Sequence, residues 1–470
     1  MSKKEAVSKP FRTPKTKFVR YRIEVKEAPP LIKIPPRFIV KRYNNCVNVQ
    51  ECAQACIYGV HLVDEDGKIA DPIHELCRGC FSCVLNCPKN AISVEANPEF
   101  KKLGNSYYTP NRIRTIHFEA ETGKVPVSGT GYKGPFAGRG LDSLWFDFSE
   151  IVRPTRDGIH GREYISTSVD LGRKLPYLRF GEDGRLLSTP PKTIGIPIPI
   201  ILGAPACSKT KDNLQLAVAK AASRLGTFSN VDSEVYSESL LPYKSSIIPT
   251  FKPSEIDEFG YLIKLSRIVE VDLNEKDHQI QDSLERIKRI NPSALVSFRV
   301  SYDENSHETA YMLAEKGADM ISLHIDNKAV EEDPELIKNA ICQVHSYLVK
   351  KNIRNEVTLI FGGGVAEAAH IPKSIILGAD AVTIDLAYQI ALGCKICQGT
   401  LDSEDCPLGI KDQDVEWAVQ RIVNLVGSWR DQLLEVLSGM GLREVRRQRG
   451  EIGRAMFYED LQMRIFGSDE

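Results

Sequence analysis

The sequence predicts an α/β chain: a parallel (β/α)8 TIM barrel with a small cysteine-rich domain N-terminal to it. Three observations predict this. From about residue 193 short apolar runs alternate with helical patterns in repeated β-then-α order, and that number of units argues for a closed barrel, with a doubly wound sheet as the alternative. One apolar run ends in glycines, Val357-Thr-Leu-Ile-Phe-Gly-Gly-Gly-Val365. Seven of the 12 cysteines fall between Cys46 and Cys87.

At 470 residues the chain can hold two or three domains and a large core. A formal charge of -1 and 42% hydrophobic content are those of an ordinary soluble protein, and no nucleic-acid partner is demanded. No apolar run reaches membrane-spanning length, and the charged N-terminus lacks a signal-peptide core, so a cytoplasmic protein without a membrane span is expected. In a reducing compartment, clustered cysteines favour metal over disulfides.

Residues 1–42 form a basic arm with 13 Lys and Arg against three Glu, and carry Pro29-Pro30 and Pro35-Pro36. The composition suits either an extended tail wrapped on its own domain or a docking arm for an acidic redox partner.

Residues 43–97 carry the motif Cys77-x2-Cys80-x2-Cys83-x3-Cys87-Pro88. This is the spacing with which bacterial-type ferredoxins hold cubane clusters, each fourth cysteine crossing to the other cluster. A ferredoxin-like iron–sulfur domain is therefore expected. Cys46, Cys52 and Cys56 repeat the frame, but the second ligand position is Val49. Crossover then makes the sites unequal. Cys77, Cys80, Cys83 and Cys56 give a complete cage for a 4Fe-4S cluster; Cys46, Cys52 and Cys87 give three thiolates, for a 3Fe-4S cluster or a 4Fe-4S cluster with one labile iron. Zinc also accepts four thiolates, but its sites usually pair two C-x2-C units.

Residues 98–192 have few long periodic segments, and Gly131–Gly140 is a plain loop, with no strand leading into it. In the barrel segment, 193–412, strands are expected at Ile196–Gly203, Tyr261–Val271, Ala294–Val300, Met320–Ile325 and Glu356–Ile360. Helices are expected at Asn213–Leu225, Ile280–Ile290, Glu308–Lys316 and Glu335–Lys350. Residues 413–470 are helical by pattern from Gln413 to Phe466.

The glycine-ended strand places Gly362, Gly363 and Gly364 where barrels seat phosphate, and the run Leu377–Ile384 supplies the next strand, which closes the pocket with further amides. Directly beyond it come Cys394, Cys397 and Cys406-Pro407, a second candidate cluster group.

Here the sequence resembles the synthase domain of glutamate synthases, in particular the archaeal type with its own ferredoxin insert. The resembling residues are Gly363-Gly364, Leu377-Gly-Ala-Asp-Ala-Val382, Gly393-Cys394, Cys406-Pro-Leu-Gly-Ile410, Leu442-Arg-Glu and Arg449-Gly450. Trp145 to Gly172 and Arg224 to Asn230 are similar too. The resemblance implies an FMN-binding barrel with a 3Fe-4S cluster beside the flavin. It assigns Gly203, Ala204, Gly362, Gly363, Gly364, Asp385, Leu386 and Ala387 to the cofactor, and matches Arg299 to a cation facing the flavin's pyrimidine edge. The implied activity is reductive glutamate formation from 2-oxoglutarate and ammonia. The implied electron donor is a ferredoxin or an NAD(P)H-oxidising partner, as no G-x-G-x-x-G run stands between a strand and a helix in the way a nicotinamide-binding fingerprint does. With Met1-Ser2 at the start, ammonia is expected free or from a separate glutaminase subunit. The chain departs from the family at Cys207, at Val231-Asp-Ser-Glu234, at Asp272-Leu-Asn-Glu-Lys276, at His324-Ile-Asp-Asn-Lys328 and in the spacing of Cys397. These loops admit the family's substrate, so the alternative is an electron-transfer subunit with lost or changed chemistry. His324, at a strand end, is a candidate general acid or a structural histidine.

Overall fold

The computed structural model describes residues 21–31, 33–126, 138–148, 164–189, 191–205, 212–273, 280–396, 406–460 and 463. Eight parallel strands close a barrel: Ile200–Leu202, Ser229–Asp232, Ile247–Phe251, Ile268–Asp272, Leu295–Ser301, Met320–His324, Thr358–Gly362 and Ala381–Ile384. The eighth pairs with the first, with Val382 opposite Ile200. The strands are short and rich in Ile, Val and Leu, as suits a sheet buried on both faces.

Three expectations are corrected. The run at Ile196–Gly203 is split, because Pro197 and Pro199 have no N–H for a ladder. Its first piece, Ile194–Ile196, pairs antiparallel with Val169–Leu171, and only Ile200–Leu202 enters the barrel. Tyr261–Val271 is a short helix, Gly260–Leu265, followed by the fourth strand. The C-terminal segment holds the helix Val415–Gly439 and then a strand, Ala455–Phe457, paired with Leu144–Phe146. The second and third barrel strands were not expected, nor was the helix Pro110–Thr122, capped by the Thr109 side chain.

The helix Val415–Gly439 packs against Pro110–Thr122 and Asp212–Leu225. Its Arg421 is fully buried and donates to the carbonyls of Ala391 and Ala28. Asn424 exchanges hydrogen bonds with the backbone of Lys26, and Trp417 donates to the Pro29 carbonyl at 2.7 Å. The described part of the basic arm is thus laced to its own chain; residues 1–20 lie outside the described residues. Among the described residues no helix is long and apolar enough to cross a membrane.

Candidate functional site

The cysteine-rich segment is an internal repeat in backbone as well as sequence. Asn48 and Gly79 share positive φ (57° and 68°), as do Gln50 and Phe81 (62° and 61°), and each pair leads into a short helix, Glu51–Ala55 or Ser82–Leu85. The N–H of Cys46 bonds the Tyr43 carbonyl as that of Cys77 bonds His74. One antiparallel pair, Phe38–Arg42 with Ile92–Ala96, underlies both halves.

Two cavities result. One is lined by Cys56, Cys77, Cys80 and Cys83, with His61. The other is lined by Cys46, Cys52 and Cys87, with Val49. The seven cysteines are thus divided four and three between the two. Four sulfurs at ~2.3 Å from one zinc ion would lie roughly 3.8 Å apart. Among the described residues no three of these cysteines bring their sulfurs within 4.8 Å of one another, so the donor set suits the wider corners of a cluster better than a single ion. Burial, then the neighbouring thiols, push Cys83 up to about 11. Such thiols hold their protons until positive charge arrives. His61 is buried and neither ring nitrogen has a hydrogen-bond partner; sequence reasoning passed over it, although it follows the first motif at Gly59-Val60-His61.

At the C-terminal mouth of the barrel a polar layer lies within the strands. Glu270 accepts from Asn230 Nδ2 at 2.8 Å and from Ser297 Oγ at 3.1 Å, and burial raises its pKa. Arg299, two residues beyond Ser297 on the same strand face, is the cation whose charge opposes the upward pKa shifts of both buried Glu270 and the more exposed Asp232. Arg299 therefore belongs to the mouth. Asp272 ends the fourth strand. His324 ends the sixth, its pKa lowered by burial. Glu270 was missed in sequence; its signal is an acid at an inward position of Ile-Val-Glu-Val-Asp.

The expected phosphate loops are built differently from expectation. A Cβ on Gly363 would meet the Ile325 carbonyl oxygen at 1.9 Å, and one on Gly364 the side chains of Ile337 and Val330 at 2.5 and 2.9 Å. One on Gly362 would meet the His324 ring at 2.9 Å. Close packing of the barrel itself thus accounts for these glycines. The Leu386 N–H donates to Asp385 Oδ1 at 2.6 Å, and the Gly364 N–H to Asn327 Oδ1 at 3.4 Å; Asn327 Nδ2 joins the two by donating to Asp385 Oδ2 at 3.2 Å. Gly203 donates its N–H to the Ile384 carbonyl, and its own carbonyl accepts from Tyr388. Ala204 follows it half-buried, while Ala387 is fully buried. The mouth therefore offers an inward cation, while the Leu386 and Gly364 N–H groups are held by side chains and that of Gly203 by the Ile384 carbonyl.

Behind this loop, Arg112 bridges Asp142 and Glu367, and Tyr107 donates to the Gly364 carbonyl at 2.6 Å. His370 lies 3.1 Å from Asp142. These carboxylates and His370 have metal-like spacing, yet the guanidinium already supplies their counter-charge. Cys394 and Cys406 are half-buried, and Ile396 between Cys394 and Cys397 has φ +57°, strained for a β-branched residue. Cys397 and Cys207 lie outside the described residues.

Residues 270–443 match the family described as the conserved region in glutamate synthase. An archaeal-type glutamate synthase [NADPH] of Dehalococcoides mccartyi is 25% identical, over 89% of this chain and 94% of that protein. The archaeal glutamate synthase [NADPH] of Archaeoglobus fulgidus is also 25% identical, over 92% and 97%. A solved mandelate oxidase variant with a monooxide FMN adduct superposes with TM-score 0.41 at 11% identity, covering 74% of this chain and 91% of that one. The chain is accordingly similar to archaeal-type glutamate synthases over about nine-tenths of its length, and its residues 270–443 match the region that glutamate synthases share.

Proposed function

We propose that the protein is an iron–sulfur flavoprotein oxidoreductase of glutamate synthase type. Electrons would come from a ferredoxin or an NAD(P)H-oxidising partner, pass through a ferredoxin-like pair of clusters, and reduce 2-oxoglutarate with ammonia to glutamate. The observation that carries this reading is the division of seven cysteines between two cavities, four and three. Cys56, Cys77, Cys80 and Cys83 would hold a 4Fe-4S cluster, and Cys46, Cys52 and Cys87 a 3Fe-4S cluster. FMN, the flavin implied by the resemblance, converts single electrons to pairs when bound. The fit at the mouth supports a flavin ring near Arg299 and does not support a phosphate at Leu386 and Gly364, so no step is routed through it.

The residues of the chain have roles independent of that. Arg299 supplies positive charge at the mouth. Glu270, held by Asn230 and Ser297, keeps the barrel interior polar beneath it. Ammonia would be free or delivered by a separate glutaminase. A second reading, an electron-transfer subunit without synthase chemistry, is favoured by the acidic residues Asp232, Glu234 and Asp272 in the departing loops.

The test uses anaerobically purified protein reduced with dithionite, to which 2-oxoglutarate and ammonium are added. Cluster reoxidation with matching glutamate is the expected result. Reduced clusters that ignore both substrates would leave the electron-transfer reading in its place.

A further inference from the structure

We propose that Asp385 is a built-in anion in the phosphate seat of the barrel, so that the mouth takes an uncharged flavin of the riboflavin class in preference to FMN. This rests on the flavin reading above.

Barrels seat phosphate on backbone amides after the seventh and eighth strands, where N–H groups converge on an oxyanion. In this chain both loops spend an amide on a side chain. The carboxylate of Asp385 takes the Leu386 N–H through one oxygen and the Asn327 amide through the other, and Asn327 takes the Gly364 N–H. The bridge therefore spans the same gap that a phosphate would span. Asp385 is only 6% exposed. Gly203 allows its approach, since a Cβ there would lie 3.2 Å from that of Asp385, and the Tyr388 hydroxyl holds Gly203 from the other side at 2.8 Å. To admit a phosphate dianion, Asp385 would have to leave these partners or share the seat with a like charge.

The surroundings add to this. Asp232 and Asp272 end the second and fourth strands and Glu270 lies within the fourth, while Arg299 is the cation that acts on both Asp232 and Glu270. His324, held below its ordinary pKa by burial, adds no full charge at neutral pH. The mouth repels a dianion and tolerates a neutral ring system with a hydroxylated side chain, whose oxygens can bond Asp385 and Asn327 as donors.

The test titrates riboflavin and FMN into the full-length chain by flavin fluorescence, for the natural protein and for Asp385→Asn and Asp385→Gly. The natural protein is expected to bind riboflavin at least as tightly as FMN. Each variant should tighten FMN by about tenfold or more, the scale of removing one nearby like charge at ~4 Å. Riboflavin binding should change little, which also reports that the variants fold. A natural protein that binds FMN far more tightly than riboflavin, or variants that leave the preference unchanged, overturns the proposal and leaves the flavin reading standing. Binding of neither flavin to any of the proteins overturns both.

Discussion

Val49 occupies in the first half of the cysteine repeat the place that Cys80 occupies in the second, on a loop with the same pair of positive φ angles. The backbone is ready for a ligand that the side chain does not provide. Val49→Cys is therefore expected to complete the smaller cage: iron content rises, and the EPR signal of oxidised three-iron clusters falls by the share of this cage, any signal from the Cys394, Cys397 and Cys406 group remaining. Unchanged iron content together with an undiminished signal in the variant would mean that Cys46, Cys52 and Cys87 do not share a cluster. His61 raises a different issue, because a buried imidazole without partners costs on the order of 1–3 kcal/mol unless something accepts its N–H. The neighbouring acceptors would be cluster sulfurs, and hydrogen bonds to sulfur raise a cluster's potential. His61→Leu should lower the midpoint potential of the four-thiolate cluster, His61→Asn should restore much of it, and the other cluster should not move. Equal potentials in all three proteins would make His61 a packing residue.

The elements differ in how openly the sequence announces them. Ala294–Val300, Glu335–Lys350 and the glycine-ended seventh strand stand out because apolar runs and helical periodicity follow their burial. Ser229–Asp232 does not, since a strand with Asn230 directed at Glu270 reads as polar loop. Ile247–Phe251 carries Pro249 and follows a long 3₁₀ segment, Glu238–Ser246, so no pattern introduces it. Gly260–Leu265 is too short and too apolar to be told from a strand. The site divides in the same way. The cysteine cages follow from local spacing, and the structure brings those residues together. The Asp385–Asn327–Gly364 bridge joins three loops from different parts of the chain, and only tertiary structure reveals that the Leu386 and Gly364 amides are already taken.

At the scale of the whole molecule, the long C-terminal helix ties the barrel to the preceding segments, and Glu119 lies in that contact. It is buried against Trp429, which donates to it at 2.8 Å. Burial pushes Glu119 from its ordinary 4.5 up to about 8, with the charge of Glu367 adding to the effect. Between those values the folded chain keeps a proton that the unfolded chain releases, so stability falls as pH rises through this window and levels off above it. Glu119→Gln keeps an acceptor for Trp429 and removes the titration. Urea unfolding between pH 5 and 8.5 should show a slope in the natural protein, amounting to a few kcal/mol, and a flatter profile in the variant. Parallel profiles would place the proton elsewhere.

The crossed wiring of the cysteine repeat also sets an order of events during synthesis. Cys46 and Cys52 leave the ribosome first, yet their third partner is Cys87, the last of the seven to be made. Cys56 likewise waits for Cys77, Cys80 and Cys83. On the proposed cluster reading no cage can close on the first half alone, so a chain interrupted between the halves would present loose thiols instead of a finished metal site, and both cages would be completed within a few residues of each other.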